Sequence, residues 1–376
     1  MTRRILIDGT SARGGGGFTY LVNVVPRLSA LAPDSSFLVL LRNERLAQSL
    51  EPRANLEIDN LPDANIAERL RYTFIDLPRL AAQWRADLYL SVSETAPPRL
   101  PCPSIASFRN FNVFTTLELG WPIGQRIRME ALAWIARLAA RRCDRILFVS
   151  EDSASWIGAS LRLPESRRAV IHHGIDAAAW SDTTPYAKHP RPYILSVSSI
   201  YRYKNFVRLI EAYLDLARGN PSTPDLVIIG DDQDPPYRER MTAARASAGE
   251  LAQRIHILGE IPYAEVKSYY AGATLFVFPS YLETFGHPIL EAMAARVPIV
   301  ASDMPVFREI AADAAVYADP HDTNSLRRAM QEALEVERGK ALVRLGSERV
   351  KQFTWERTAK RLLELFDEVI ETRDSR

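Results

Sequence analysis

Pro279-Ser280-Tyr281-Leu282-Glu283-Thr284-Phe285-Gly286-His287-Pro288-Ile289-Leu290-Glu291-Ala292-Met293 decides the reading of this chain. The apolar run Leu275 to Phe278 just before it has the length and composition of a buried strand. Pro288 suits the first turn of a helix, where its φ is pre-organised and its missing N–H would be unpaired anyway. A short loop carrying Glu283 joins the two. The free N–H groups around Gly286 and His287 then lie at the positive end of the helix dipole, which favours a phosphate. Glu283 before the helix and Glu291 within its first turn set a carboxylate on either side of such an anion. A nucleotide sugar has that layout, with a diphosphate in the middle and sugar hydroxyls at both ends.

Taken singly, Glu291 could merely complement the dipole and Glu283 could be a solvated loop carboxylate. The whole run, however, resembles the E-x7-E signature of retaining GT-B glycosyltransferases, in particular glycosyltransferase family 4, in the form E-x-F-G-x-P-x-x-E-A-M-A. The resemblance implies a GT-B fold: two doubly wound α/β domains, Rossmann-like, facing a cleft, with a C-terminal helix crossing back to the first domain. It also implies that Glu291 holds the ribose hydroxyls and that Glu283 meets the donor sugar. Thr284, Phe285, Gly286 and His287 complete this side of the donor site.

A chain of 376 residues is long enough for two domains with separate cores. Apolar residues at 47% and charged residues at 25% describe a globular protein rather than a disordered one. A net charge of +1 argues against a nucleic-acid coat protein. The charge is uneven: every Lys or Arg before Lys188 is an arginine, and over the first 150 residues arginines outnumber carboxylates by about five. Partners bearing phosphate fit that bias. Cys102 and Cys143 are too few for a disulfide framework or a zinc site, as expected in a reducing compartment. Asp8 follows only three apolar residues, so no signal-peptide core is expected, and no run reaches the ~20 apolar residues of a membrane span. The expected location is the cytoplasm, at the inner face of the cell membrane if the basic helices described next touch lipid.

From the amino end, Ile5 to Asp8 reads as a strand, Gly14-Gly15-Gly16-Gly17 as a loop and Phe18 to Leu31 as a helix that Pro26 should kink or end. Four glycines let backbone approach a phosphate or a sugar. In the family resembled, this loop faces the donor phosphates and the acceptor, which brings Gly15 and Gly16 into the donor site. Further strands are expected at Phe37–Leu41, Leu88–Val92, Ser104–Phe108, Arg145–Val149 and Ala169–His172. Two arginine-bearing helices are expected, one from Ala67 to Trp84 and one from Ile123 to Arg142. A basic amphipathic helix can rest on an anionic membrane, although most such helices are ordinary surface elements.

Arg109-Asn110-Phe111 follows the Ser104–Phe108 strand, where many members of the family carry a histidine facing the acceptor. Arg109 and Asn110 are therefore the acceptor-side candidates, and no histidine base is transferred to this chain. Ile171-His172-His173-Gly174-Ile175-Asp176 resembles the family's P-N-G-V-D turn and ends domain 1–176. The His pair has no further ligand at metal spacing, and no D-x-D motif appears at the expected kind of loop, so no metal is expected.

Residues 177–192 are polar and proline-bearing and read as a linker; 193–353 form the second domain and 354–376 the returning helix. Strands are expected at Tyr193–Val197, Leu226–Ile229, Arg254–Leu258, Leu275–Phe278 and Pro298–Ala301. Arg202 and Lys204 fall at a strand-to-helix turn, in a segment similar to the family's G-x-x-x-x-[KR]-K-N element, with Ser198 in place of the usual glycine. The resemblance gives Lys204, Arg202 and Glu283 the catalytic roles, the two cations neutralising the departing diphosphate.

The activity implied is retaining, metal-independent transfer of a hexosyl group, with mannosyl preferred, from a GDP- or UDP-linked sugar to a glycan or lipid-linked acceptor in surface polysaccharide synthesis. Two rivals share the architecture: a sugar-nucleotide 2-epimerase, and a non-catalytic nucleotide-sugar-binding subunit. A dehydrogenase is disfavoured because the glycines do not follow G-x-G-x-x-G spacing.

Overall fold

The computed structural model describes residues 2–12, 14–115, 123–185, 189 and 191–374. Within the expected linker, Tyr186, Ala187, Lys188 and Pro190 lie outside the described residues. The chain forms two compact units, one made of Met1–Gly174 and Trp355–Arg376, the other of Ile175–Thr354.

The first unit contains strands β1 Arg4–Asp8, β2 Ser36–Leu41, β3 Leu56–Asn60, β4 Leu88–Ser91, β5 Ser104–Phe108, β6 Arg145–Phe148 and β7 Arg168–Val170. All pairings are parallel, in the order β3-β2-β1-β4-β5-β6-β7. The chain winds outward from β1 in one direction, then returns to β4 on its other side. Connections leaving β1 and β4 therefore diverge, and a crevice opens at the carboxyl ends of these two strands.

The second unit contains β8 Tyr193–Val197, β9 Asp225–Ile229, β10 Ile255–Gly259, β11 Leu275–Phe278, β12 Ile299–Ser302 and β13 Val316–Ala318. These are also parallel, in the order β10-β9-β8-β11-β12-β13. Its crevice lies at the carboxyl ends of β8 and β11. Central strands are buried along their whole length, as helices on both faces of a parallel sheet require.

The helix Trp355–Asp374 joins the first unit, although the second separates the two in sequence. Trp355, Ala359, Leu362, Phe366 and Ile370 are buried in one cluster with Tyr20, Leu21, Val24 and Leu28 of the helix Gly15–Leu31. Each large apolar side chain so buried stabilises the unit by about 1.5–3 kcal/mol.

Four expectations need correction. Helix Gly15–Leu31 runs through Pro26 without ending. Proline removes its own N–H and crowds the carbonyl four residues back, and the face Leu21, Val24, Val25 and Leu28 buried on either side of it offsets that cost. The expected helix Ala67–Trp84 is divided into Ile66–Arg71, a widened π turn at Tyr72–Asp76, and Leu77–Gln83. The widening falls just before Pro78, whose ring would clash with the carbonyl four residues back in a regular helix. The linker opens with a short helix, Ala177–Ser181, that buries Trp180. Two edge strands, β3 and β13, were not expected, because one is largely polar and the other has three residues. Among the described residues no helix is long and apolar enough to cross a membrane.

Candidate active site

At the crevice of the second unit, β8 and β11 and the loops after them are tied together by backbone and side chain. Ser196 Oγ donates to Val277 O at 2.7 Å, and Tyr281 N donates to Tyr203 O at 3.0 Å. Asn205 adopts φ 64°, a left-handed conformation that asparagine tolerates better than most residues. From there its Nδ2 donates to Pro279 O at 3.1 Å and to Pro320 O at 2.8 Å. This bracing brings the residues of the two loops face to face. Lys204 Nζ donates to Glu283 Oε1 in a close ion pair, with side-chain exposures of 13% and 11%. Arg202 Nε pairs with Asp234 Oδ2 at 3.1 Å. Glu283 is thus no solvated loop carboxylate. A buried ion pair gains little over apolar residues of the same size, so its presence at a topological switch point marks chemistry more than stability.

Gly286 begins the next helix, His287–Ala294, with φ 95°. A side chain there would be strained, and its Cβ would lie 2.9 Å from Phe307 Cε1. The cap residue is a glycine with no side chain to offer, and the first turn holds no acidic residue, so no carboxylate of the helix's own first turn offsets its dipole. Glu291 lies one turn further along than the sequence suggested, and its carboxylate is buried. Tyr263 Oη donates to Glu291 Oε1 at 3.1 Å. Burial pushes the Glu291 pKa up to about 7, against the opposing hydroxyls of Tyr270 and Tyr263 and the charge of Lys267. Thr284 and Phe285 are buried, with the Phe285 ring 5.4 Å from that of His287.

In the first unit the helix starts at Gly15, three residues earlier than expected. Added Cβ atoms at Gly14, Gly15 and Gly16 meet nothing within 4 Å, so open space faces the loop. Gly15 has φ 56° and needs to be glycine on conformational grounds; Gly16 does not. Gly16→Ala is therefore expected to leave the melting temperature within about 1 °C of wild type. A rise in donor or acceptor KM in that variant would report a ligand against the loop.

Arg109 turns its guanidinium inward. It lies 3.6 Å over the Tyr20 ring centroid, and its Nε donates to Ser107 Oγ at 2.7 Å. Glu94 Oε1 accepts from both Arg109 N at 2.8 Å and Asn110 N at 2.7 Å, fixing the turn. Burial raises the Glu94 pKa, and those two amides with the Arg109 charge oppose it. The sequence reading missed Glu94. The signal was present, since Glu94 follows β4 at the switch point of the sheet. His173 packs between Tyr20 at 5.2 Å and Trp355 at 5.8 Å, a packing role.

Among the described residues one group, His189, Asp225 and His256, brings three potential metal ligands together. Asp225 Oδ1 already takes Arg191 Nε and Arg254 Nε, each at 3.0 Å, which neutralises the carboxylate. Asp225 opens β9 and His256 lies near the start of β10, at the sheet end opposite Lys204 and Glu283.

Two Rossmann-like parallel sheets, each with polar residues gathered at its switch point, define a GT-B protein. Solved structures agree on the fold: HepE of Anabaena in complex with UDP-glucose aligns with a TM-score of 0.76 over 97% of this chain and 99% of its own, at 15% identity. A glycosyltransferase of Rickettsia africae aligns at 0.75 over 98% and 99%, at 16% identity. Residues 14–179 match the family described as Glycosyltransferase Family 4, and residues 183–369 match Glycosyl transferases group 1. The chain belongs to this family of glycosyltransferases. Among curated relatives, O-antigen chain mannosyltransferase RfbU of Salmonella typhimurium is 26% identical over 198 residues, 53% of each chain. O-antigen chain mannosyltransferase B of Escherichia coli is 30% identical over 168 residues, 44% of this chain and 42% of its own. The matched region is thus about half the length of these relatives.

Proposed function

We propose that the protein is a retaining, metal-independent glycosyltransferase that moves a hexosyl group from a nucleotide sugar to a hydroxyl of a glycan or lipid-linked acceptor in surface polysaccharide synthesis. The observation that carries this reading is the buried Lys204–Glu283 pair just before helix His287–Ala294, whose first turn holds no acidic residue. In the proposed reaction the donor diphosphate lies against that helix start. Lys204 and Arg202 exchange Glu283 and Asp234 for phosphate oxygens and neutralise the charge that grows as the glycosidic bond breaks. Glu283, released from Lys204, accepts from donor-sugar hydroxyls, and Glu291 accepts from the ribose. The leaving phosphate helps deprotonate the attacking hydroxyl on the same face of the sugar, which retains the anomeric configuration.

Mannose from GDP-mannose is the favoured donor because two relatives are mannosyltransferases; the HepE complex makes UDP-glucose the second choice. The test is product analysis with a panel of GDP- and UDP-sugars, in chelator, with and without acceptor. Acceptor-dependent release of nucleoside diphosphate supports transfer. A C2 epimer formed without acceptor identifies an epimerase, and binding without turnover identifies a non-catalytic subunit.

The proposal extends to a cytoplasmic site of action against an anionic membrane. Helix Ile123–Arg142 buries Ala133, Ala136, Ala139 and Ala140 but exposes Ile123, Ile127 and Trp134 beside Arg126 and Arg128. Such a face has the composition of an interfacial helix. Co-sedimentation with vesicles containing phosphatidylglycerol is expected at low salt and is expected to weaken in Ile127→Ser/Trp134→Ser. Equal binding of both proteins would contradict this part of the reading.

A further inference from the structure

Tyr263 is half exposed, yet its hydroxyl reaches the buried Glu291. It is the first residue of helix Tyr263–Gly272 and follows the turn that leaves β10 at Gly259. Around Glu291 the other polar or charged neighbours are Tyr270, which is fully buried, and Lys267. Lys267 Nζ lies 5.4 Å from the Trp180 ring centroid and donates to Ala179 O at 3.4 Å. Trp180 in turn meets the rings of Tyr270 at 5.3 Å and Tyr263 at 6.2 Å, edge to face. Tyr270 and Trp180 are therefore fixed parts of the wall, whereas Tyr263 covers the carboxylate from the solvent side.

A buried carboxylate is costly to leave without donors, so something must occupy its solvent-facing oxygen when no ligand is bound. An aromatic hydroxyl on a half-exposed residue can do this and still be moved aside. We propose that Tyr263 is a displaceable partner of Glu291, its hydroxyl holding Oε1 in the free protein at the position that a ribose hydroxyl of the donor takes. This rests on the donor-binding reading of Glu291 given above. Exchange of one hydroxyl for another makes binding nearly neutral at this oxygen, so Tyr263 limits nucleotide affinity while keeping the empty site solvated.

The raised pKa of Glu291 adds a pH dependence whose sign follows from the hydrogen bonds. Ribose hydroxyls donate to the ionised carboxylate, so nucleotide binding releases a proton and strengthens as pH rises through about 7. Removing the Tyr263 hydroxyl withdraws a donor from the charged form and moves this transition to higher pH.

The test measures GDP and UDP binding by calorimetry to wild type and Tyr263→Phe, at about pH 6 and about pH 8.5, either side of the Glu291 transition. At the higher pH, above the Glu291 transition of the wild type, the variant has no hydrogen bond to break and is expected to bind about three- to tenfold more tightly. At the lower pH this advantage shrinks or reverses. Weaker or equal binding by the variant at the higher pH would overturn the inference, because a residue that only supports Glu291 can only lose affinity when truncated. Glu291→Gln separates the two levels of the argument. If wild type binds a nucleotide, Glu291→Gln loses it and Tyr263→Phe gains nothing, the displacement role falls and the donor site stands. If wild type binds neither nucleotide, both fall.

Discussion

Lys204→Ala is expected to lower kcat by about 10²- to 10³-fold, the loss typical of removing one group that stabilises charge developing on a leaving oxygen. The variant also leaves Glu283 buried without its cation, a change that costs up to about 3 kcal/mol when an ion pair of low exposure is broken from one side. Folding and catalysis are separable here. Lys204→Ala combined with Glu283→Gln removes the unpaired charge, so most of the lost stability should return, while kcat should lie well below that of Glu283→Gln alone. Urea unfolding and donor kinetics on the single and double variants measure the two effects. Recovery of activity in the double variant would mean that Lys204 matters only as the partner of Glu283, and the role in leaving-group stabilisation would fail. Donor KM should change less than kcat in the single variant, because the charge that Lys204 meets grows as the bond breaks.

Gly230→Ala is expected to be the most damaging single methyl in the second unit. An added Cβ would lie 1.8 Å from Ser198 O and 2.6 Å from Ser198 C, so backbone rather than a side-chain tip must move. Gly230 N donates to Gly259 O at 2.9 Å, and Ser198 N donates to Ile229 O at 3.0 Å, so the strained residues also carry the ladder at the carboxyl ends of β8, β9 and β10. Overpacking of this kind costs about 3 kcal/mol or more. The loop from Ser198 to Asn205, which carries Arg202 and Lys204, would be displaced along with its anchor. Gly219→Ala is the control, since nothing lies within 4 Å of that position and the helix should gain slightly or stay unchanged. Thermal unfolding of the two variants checks this; equal melting temperatures would contradict the packing account.

Much of the fold was legible because parallel strands buried on both faces are continuous apolar runs. Tyr193–Val197, Leu275–Phe278 and Ser104–Phe108 have the expected bounds, and the helix that follows Lys204 shows its buried stripe of Phe206, Leu209, Ile210 and Tyr213 at helical spacing. What escaped were elements fixed by tertiary context. β3 needs the paired edge of β2 to be a strand at all, since Leu56 and Ile58 are its only apolar residues. Pro26 looked like a break because local rules ignore the apolar face that holds the helix on both sides of it. In the site, the motif residues Lys204, Glu283, Gly286 and Glu291 were nameable from spacing and resemblance. Asp234, the partner of Arg202, and Tyr263, the partner of Glu291, were not, because each comes from another strand's carboxyl end and belongs to no local pattern. The inward turn of Arg109 onto Tyr20 is of the same kind, visible only when β5 and the first helix are packed together.

The most direct test of transfer with retention is an anomer-resolved NMR analysis of product formed from GDP-mannose, then from UDP-glucose, in the presence of chelator and a lipid-linked glycan extract. The account predicts acceptor-dependent release of nucleoside diphosphate and a new linkage with the α configuration of the donor, undiminished by chelation. A β-linked product, a strict requirement for added divalent metal, or release of the C2 epimer without acceptor would contradict it.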